Sequence, residues 1–270
     1  MRRLEAWIGA PLFVRHARRV ELTERGIALL HELEAGFEIV ERAAERHRVR
    51  AGSGTLVLST LPLLAQVWLL PLLPELARRW PQAHFEIETG NALARFGADA
   101  RVLSIRNLAQ PPRGGHWTPL LSCEALPVLS TTLAETVRVP VDLLEHRLIE
   151  IGARPGGWVR WARRYLGEHP VPEPLRVDTI PMALEIAVQG GGVVLGTTPL
   201  IWRAKGAEQL CAPLPDCLID AGTYYLGHDH DDGASGLSEA VEAFLLGQMR
   251  QELTSMRADS ERALGRARKR

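Results

Sequence analysis

The 270-residue chain is poor in cysteine, carries no formal net charge and has no long apolar run. Each shortage excludes something. Three cysteines, Cys123, Cys211 and Cys217, make an odd, sparse set that is a poor disulfide framework and suits a reducing compartment. They form no CxxC pair and show no zinc-knuckle spacing, so a structural zinc site is not indicated. A net charge of +0 argues against a nucleic-acid coat or a membrane-surface protein, while leaving room for one local basic patch. The longest apolar stretch, Leu61 to Leu73, is interrupted by Pro62, Gln66 and Pro71 and falls short of the roughly 20 residues a bilayer span needs. Met1-Arg2-Arg3-Leu4-Glu5 lacks the unbroken apolar core of a signal peptide. These features predict a soluble, cytoplasmic protein with no membrane partner.

What is present falls into two grammars. Residues 1–9 read as the end of a helix, with Leu4, Trp7 and Ile8 on one face and Gly9 as its stop. Runs 12–15 and 19–22 predict a small hairpin in which Arg15, Arg18 and Arg19 cluster. Thr23 suits a helix N-cap, with Glu24 in the first turn. The helix it starts extends to about Val49, and Leu30, Leu33, Phe37, Val40 and Ala44 recur along it at spacings of three and four. That seam predicts a dimerising helix, the alternative being one amphipathic helix lying on its own domain. Phe37→Asp, which puts a charge in the seam, is therefore expected to disrupt self-association. An unchanged oligomeric mass in light scattering would contradict the seam. Ala51-Gly52-Ser53-Gly54 reads as a hinge.

From Thr55 strands and helices alternate. Strands are predicted at 55–59, 84–88, 100–106, 117–121, 125–130, 147–151, 175–178, 193–197 and 223–227. Helices are predicted at about 64–80, 157–167, 180–189 and 237–252. Such alternation means α/β with a largely parallel sheet. The tail 251–270, with Arg257, Arg262, Arg266, Arg268, Lys269 and Arg270, reads as a frayed basic tail.

Arg3-Leu4-Glu5, then Gly9-Ala10-Pro11-Leu12-Phe13-Val14-Arg15, then Arg18-Arg19-Val20-Glu21-Leu22-Thr23-Glu24-Arg25-Gly26 closely resembles the LysR-type transcriptional regulators. There these residues form the end of the recognition helix, the wing and the start of the linker helix. Thr55 to Pro81 and Asp178 to Gly196 are similar to two units of that family's effector domain, nearest to its glycine-cleavage activators. The resemblance implies a two-lobed, periplasmic-binding-protein-like (type 2) domain with two crossing strands. It would follow a partial winged helix-turn-helix (1–22) and a dimerising linker helix (23–52). The effector domain is expected at 55–250, with lobe I at about 55–125 and 218–250 and lobe II at about 126–217. The family's helix-turn-helix has further helices before the position of Met1, so the chain as written reads as truncated within that motif. Its remaining contacts to DNA would be phosphate contacts through Arg2, Arg3, Arg15, Arg18 and Arg19, which position a protein without reading sequence. A late-called start and a true truncation are the two explanations. The family further implies a homodimer or homotetramer that binds operator DNA and responds to a small effector.

In a two-lobed α/β domain a ligand sits beyond the carboxyl ends of the strands. Ser59 and Thr60, then Pro62 near a helix start, suit an anionic effector or ordinary capping. Thr89, Asn91, Gly152, Asp178, Thr179 and Thr197 end other strands and complete the candidate set. Arg106 reads as a solvated surface arginine, with contact to an anionic effector the alternative. Gly190-Gly191-Gly192 precedes a strand and reads as a tight turn, not a dinucleotide loop. His228-Asp229-His230-Asp231-Asp232 reads as a polar loop, because adjacent residues on an extended run face opposite sides. No cofactor, metal or catalytic group is expected. The weaker alternatives are an enzyme, a transport-type solute-binding protein, and an effector-binding and dimerising module without specific DNA binding.

Overall fold

A computed structural model of the protein describes residues 2–15, 20–30, 33, 55–90, 101–111, 113, 115–228 and 236–268. The chain divides into two compact units, one within Met1–Gly52 and a larger one that holds nearly everything after it.

In the first unit, α1 (Arg2–Ile8) is followed by an antiparallel hairpin of β1 (Phe13–Arg15) and β2 (Val20–Leu22), with Phe13 opposite Leu22. A helix, α2, then begins at 24–30. Gly9 takes a left-handed φ of 72° and ends α1, a backbone state that costs glycine little. Three polar groups tie the pieces together. Glu5 Oε1 accepts from the Leu12 and Phe13 N–H groups at 2.9 and 3.3 Å. Thr23 donates its N–H to Leu12 O and its hydroxyl to Pro11 O, both at 3.0 Å. The same hydroxyl accepts from Gly26 N–H at 3.0 Å, the cap expected at this helix start. Trp7 is 85% exposed and Leu4 37%. Leu30 and Leu33 of the seam are exposed. Phe37, Val40 and Ala44 lie outside the described residues, as do Arg18 and Arg19 and the side chains of Arg2, Arg3 and Arg15.

The second unit is built on one nine-stranded sheet. Its strands are β3 (Thr55–Thr60), β4 (His84–Thr89), β5 (Arg101–Leu108), β6 (His116–Ser130), β7 (Leu148–Ile151), β8 (Leu175–Val177), β9 (Val193–Thr198), β10 (Leu210–Cys211) and β11 (Ile219–His228). The order is β4-β3-β5-β11-β6-β9-β7-β8, with β10 also beside β6. The two ends are parallel: β3 with β4 and β5, and β7 with β8 and β9. The middle is antiparallel, so the sheet is mixed rather than largely parallel. The cause is β6 and β11, which run from one lobe to the other. The two short runs read at 117–121 and 125–130 are the single strand β6. Ser122 and Glu124 are exposed on either side of buried Cys123, which continues the two-residue period of a strand rather than breaking it. β11 shifts register twice, between Asp220 and Thr223 and between Tyr224 and Tyr225, and such bulges bend a strand.

Lobe I stacks β3, β4 and β5 with a helix that starts at Pro62, not 64. It runs as α3 (Pro62–Leu64), widens to a π-helical stretch over Ala65–Leu69 and continues as α4 (Leu70–Arg79). Short α5 (Thr131–Ala134) follows β6. Lobe II carries α6 (Gly157–Tyr165) and α7 (Ile180–Val188). One core of Leu56, Leu58, Leu64, Trp68, Leu103 and Ile105 extends through Leu126 and Val128 to Ala183, Leu184 and Leu200. A second core in lobe II gathers around Trp158, Trp161, Leu143 and Leu148. The triple glycine turns α7 into β9. Gly192 has φ 151°, and a Cβ there would stand 2.2 Å from Arg147 O, so only glycine fits.

The final helix, α8, spans Gly236–Arg268, and the frayed tail expected from 251 is instead helical. Composition misled here. Arg250, Arg257 and Arg262 are exposed, while Leu253, Met256 and Leu264 recur at helical spacing and pack on the core, Met256 fully buried. Among the described residues no helix is long and apolar enough to cross a membrane.

Candidate functional site

Two helix starts and one chain turn converge between the lobes. Leu61, Pro62 and Leu63 follow β3. Ile151 ends β7, and Ala153 and Arg154 follow it. Asp178, Thr179 and Ile180 open α7. Together with Tyr224 of β11 they line a small, open pocket. Two helices begin on it. Pro62 fills a first-turn position where an N–H would have no helical partner. Thr179 caps α7, its hydroxyl accepting from Met182 N–H at 3.4 Å. Helix starts carry partial positive charge and unbonded N–H groups, so they favour an anion.

Arg154 supplies a full positive charge. Its Nη1 donates to Ala221 O at 3.1 Å and its Nη2 to Asn107 O at 2.7 Å. A lobe II turn is thereby pinned to β11 and to the end of β5. Burial pushes the Arg154 guanidinium below its ordinary range, yet an arginine keeps its charge at neutral pH. The group has five N–H donors, so donors remain for a ligand. Arg154 also lines a second, adjoining and larger pocket. Glu150, Gly157, Arg160, Thr197 and Asp220 supply the polar part of its wall, and Trp158, Ile180 and Leu195 apolar parts. Glu150 is buried, and its Oε1 accepts from Gly157 N–H at 3.0 Å.

Arg106 is not a surface arginine. It is 4% exposed and donates from Nη1 to Ser59 O at 2.8 Å and to Ile105 O at 2.9 Å, and from Nη2 to Ser59 Oγ at 2.7 Å. Burial lowers it to about 10, against the pull of Glu88. Its role is to hold the β3 end from which the cleft turn departs. A buried guanidinium persists there because carbonyl and hydroxyl oxygens satisfy it. Cys123 is a core thiol, pushed up to about 12 chiefly by burial. Tyr224, fully buried behind the pocket, is likewise raised by burial.

The sequence-derived candidates are therefore spread out. Asp178 and Thr179 line the first pocket and Thr197 the second. Ser59 is committed to Arg106. Thr60 is fully buried just behind Leu61, and its Oγ1 has no hydrogen-bond partner among the described residues. Thr89 is exposed at the end of β4, in register with Thr60. Gly152 is exposed and donates its N–H to Val177 O at 2.8 Å. Asn91 lies outside the described residues. Sequence reasoning missed Arg154 and Glu150. A cue existed for Arg154, an arginine in the Gly152-Ala153-Arg154-Pro155-Gly156-Gly157 turn directly after a strand. Of the acidic and histidine run, His228 pairs with Glu242 at 2.9 Å and 229–232 lie outside the described residues. Among the described residues no group of three or more His, Cys, Asp or Glu side chains could hold a metal.

Comparison with known proteins places this architecture. Residues 50–250 match the family described as the LysR substrate binding domain. The chain is 31% identical to the HTH-type transcriptional regulator PerR of Escherichia coli over 228 residues, covering 84% of this chain and 76% of that protein. It is 25% identical to the glycine cleavage system transcriptional activator of Escherichia coli over 259 residues, covering 94% and 84%. Among solved structures it matches the effector domain of the regulator AmpR of Pseudomonas aeruginosa, with TM-score 0.65 and 23% identity over 74% of this chain and 98% of that one. It also matches CrgA of Neisseria meningitidis, with TM-score 0.62 and 18% identity over 92% and 87%.

Proposed function

The chain belongs to the LysR family of transcriptional regulators, and on that premise we propose that the pocket between Leu61–Leu63 and Asp178–Ile180 binds a small effector carrying an anionic group. The observation that carries this reading is Arg154, a half-buried cation flanked by two helix starts in a pocket whose walls come from both lobes. A ligand that touches both lobes binds one arrangement of them better than another. That difference in affinity is what allows it to shift the equilibrium. Asp178, exposed at the rim, repels a simple carboxylate and would accept an amine on the same ligand.

The wing unit supplies phosphate contacts through Arg2, Arg3, Arg15, Arg18 and Arg19. The seam Leu30, Leu33, Phe37, Val40 and Ala44 pairs two chains, and paired dimers give a tetramer whose arrangement the effector changes. Such a protein works in the cytoplasm, beside the genome. It assists no reaction on this reading.

A thermal-shift screen with acetate, succinate, benzoate, single amino acids and dipeptides tests the pocket. A binder present at 100 times its Kd stabilises the fold by about 2.7 kcal/mol. Arg154→Met is expected to weaken the best compound by roughly tenfold or more, since hydrogen bonds to charged groups contribute about 1.5–3 kcal/mol. Thr179→Val is expected to weaken it less, and Asp178→Asn to tighten simple carboxylates. A shift that survives Arg154→Met unchanged would place the ligand elsewhere.

A further inference from the structure

The match to the family's effector domain ends at residue 250, but α8 continues to Arg268. The two parts of this helix hold different lobes. Its first part belongs to lobe I. Phe244 packs edge-on against Trp80 at 5.6 Å. Glu242 bonds His228 at 2.9 Å and accepts from Thr118 at 3.3 Å.

Its second part grips lobe II. Arg203, in the 3-10 turn Leu200–Arg203 after β9, donates from all three nitrogens to one face of α8. Nη1 meets Glu252 Oε2 at 2.6 Å, Nη2 meets Ser255 Oγ at 3.0 Å, and Nε meets Asp259 Oδ2 at 3.1 Å. At the next residue of α8, Ser260 Oγ bonds Thr198 Oγ1 at 2.7 Å. Residues 252, 255 and 259 share a face because they are separated by about one and two helical turns, and 260 lies two turns from 252 at its edge. Met256, between them, is fully buried in the core shared with Leu200, Ile201 and Leu210. Every one of these contacts comes from beyond residue 250. The planar guanidinium fork makes them directional, which a lysine would not.

We propose that residues 251–264 are an interlobe strap: a rigid helical extension, rooted in lobe I, that fixes lobe II through Arg203 and Thr198 and opposes the lobe movement an effector drives. The chain itself crosses between the lobes in β6 and β11, beside the shared core and the Arg154 contacts, and β11 is bulged at Asp220–Thr223, where Gly222 adopts φ 79°. A helix cannot bend as bulged strands do, so as long as the strap holds, the two lobes move little. An effector must therefore work against the strap, and anything that loosens 251–264 shifts the resting population toward the other arrangement. The inference rests on the two-lobed fold and not on any particular ligand.

Hydrogen-exchange mass spectrometry on the ligand-free full chain tests it. In Arg203→Ala, exchange is expected to rise in 251–264 by about tenfold, the equivalent of one charge-assisted hydrogen bond lost. It is also expected to rise at the hinge segments 122–126 and 219–223 and at the cleft turns 61–63 and 151–154, with the lobe I core strand 56–59 unchanged. Salt should act in the same direction. At about 1 M salt, where the screening length is ~3 Å, the unaltered chain should move toward the variant's pattern while the variant stays as it is. If Arg203→Ala destabilises the whole domain, the paired variant Glu252→Gln/Asp259→Asn removes the charges from the helix side alone and leaves Met256 in place. Restored protection in Arg203→Glu/Glu252→Arg would show that the contact itself is responsible. Exchange that rises only within 251–268, with hinge and cleft turns unchanged, would overturn the strap and leave the effector pocket untouched.

Discussion

Gly26→Ala is expected to undo the junction of wing and linker helix while leaving the effector domain folded. A Cβ at Gly26 would stand 2.2 Å from Leu12 O and 3.0 Å from Leu22 Cδ2. The first is a backbone atom, so no side chain can swing aside. The same Leu12 oxygen accepts from Thr23 N–H at 3.0 Å. Pushing α2 away therefore breaks the bonds that fix the helix start, with Thr23 to Pro11 among them. Overpacking of this kind costs about 3 kcal/mol, and more when the backbone must move. The unit is small, and small units have little stability to spare. The amides of Leu12, Thr23 and Gly26 should exchange at least tenfold faster, affinity for duplex DNA of any sequence should fall, and the effector domain's melting should not change. Native exchange at those amides would contradict this account of the motif.

The second large effect is expected from Trp158→Ala. Trp158 is 1% exposed, donates its indole N–H to Ile149 O at 2.9 Å and meets Trp161 edge-on with ring centres 5.7 Å apart. Removing it leaves a cavity in the smaller core of lobe II and strips Ile149 O of a donor. Deleting a buried tryptophan costs about 3–5 kcal/mol, a large share of the roughly 5–15 kcal/mol that holds a domain folded. Val159 on the same helix is 51% exposed, so Val159→Ala should change stability by no more than about 0.5 kcal/mol. Urea melts of both variants check the contrast. Equal midpoints would show that α6 does not close that core.

The contrast between these two sites explains what the sequence revealed. Glu5, Thr23 and Gly26 act over separations of 3 to 12 residues, so their pattern survives as a readable motif. The glycine turn at 190–192 and the cap at Thr179 are local in the same way. Arg106 and Arg154 are not. Their acceptors, Ser59 and Asn107, each lie 47 residues away. A pattern that sends charges to the surface has no means of seeing a carbonyl that arrives from another strand. The tail failed for a related reason. Its arginines dominate the composition, while Leu253, Met256 and Leu264 occupy one face that only a partner surface reveals. The mixed sheet was hidden because β6 switches lobes at Ser122–Glu124, where polar residues resemble a loop until buried Cys123 is seen between them.

The central claim is that this regulator reads a small molecule where its two lobes meet. A crystal structure with the best compound from the thermal-shift screen tests it most directly. The account predicts ligand density between the start of α3 and the Thr179 cap of α7, with an anionic group within hydrogen-bonding distance of Arg154. Density lodged on one lobe alone, with Arg154 still turned only to Ala221 and Asn107, would contradict it.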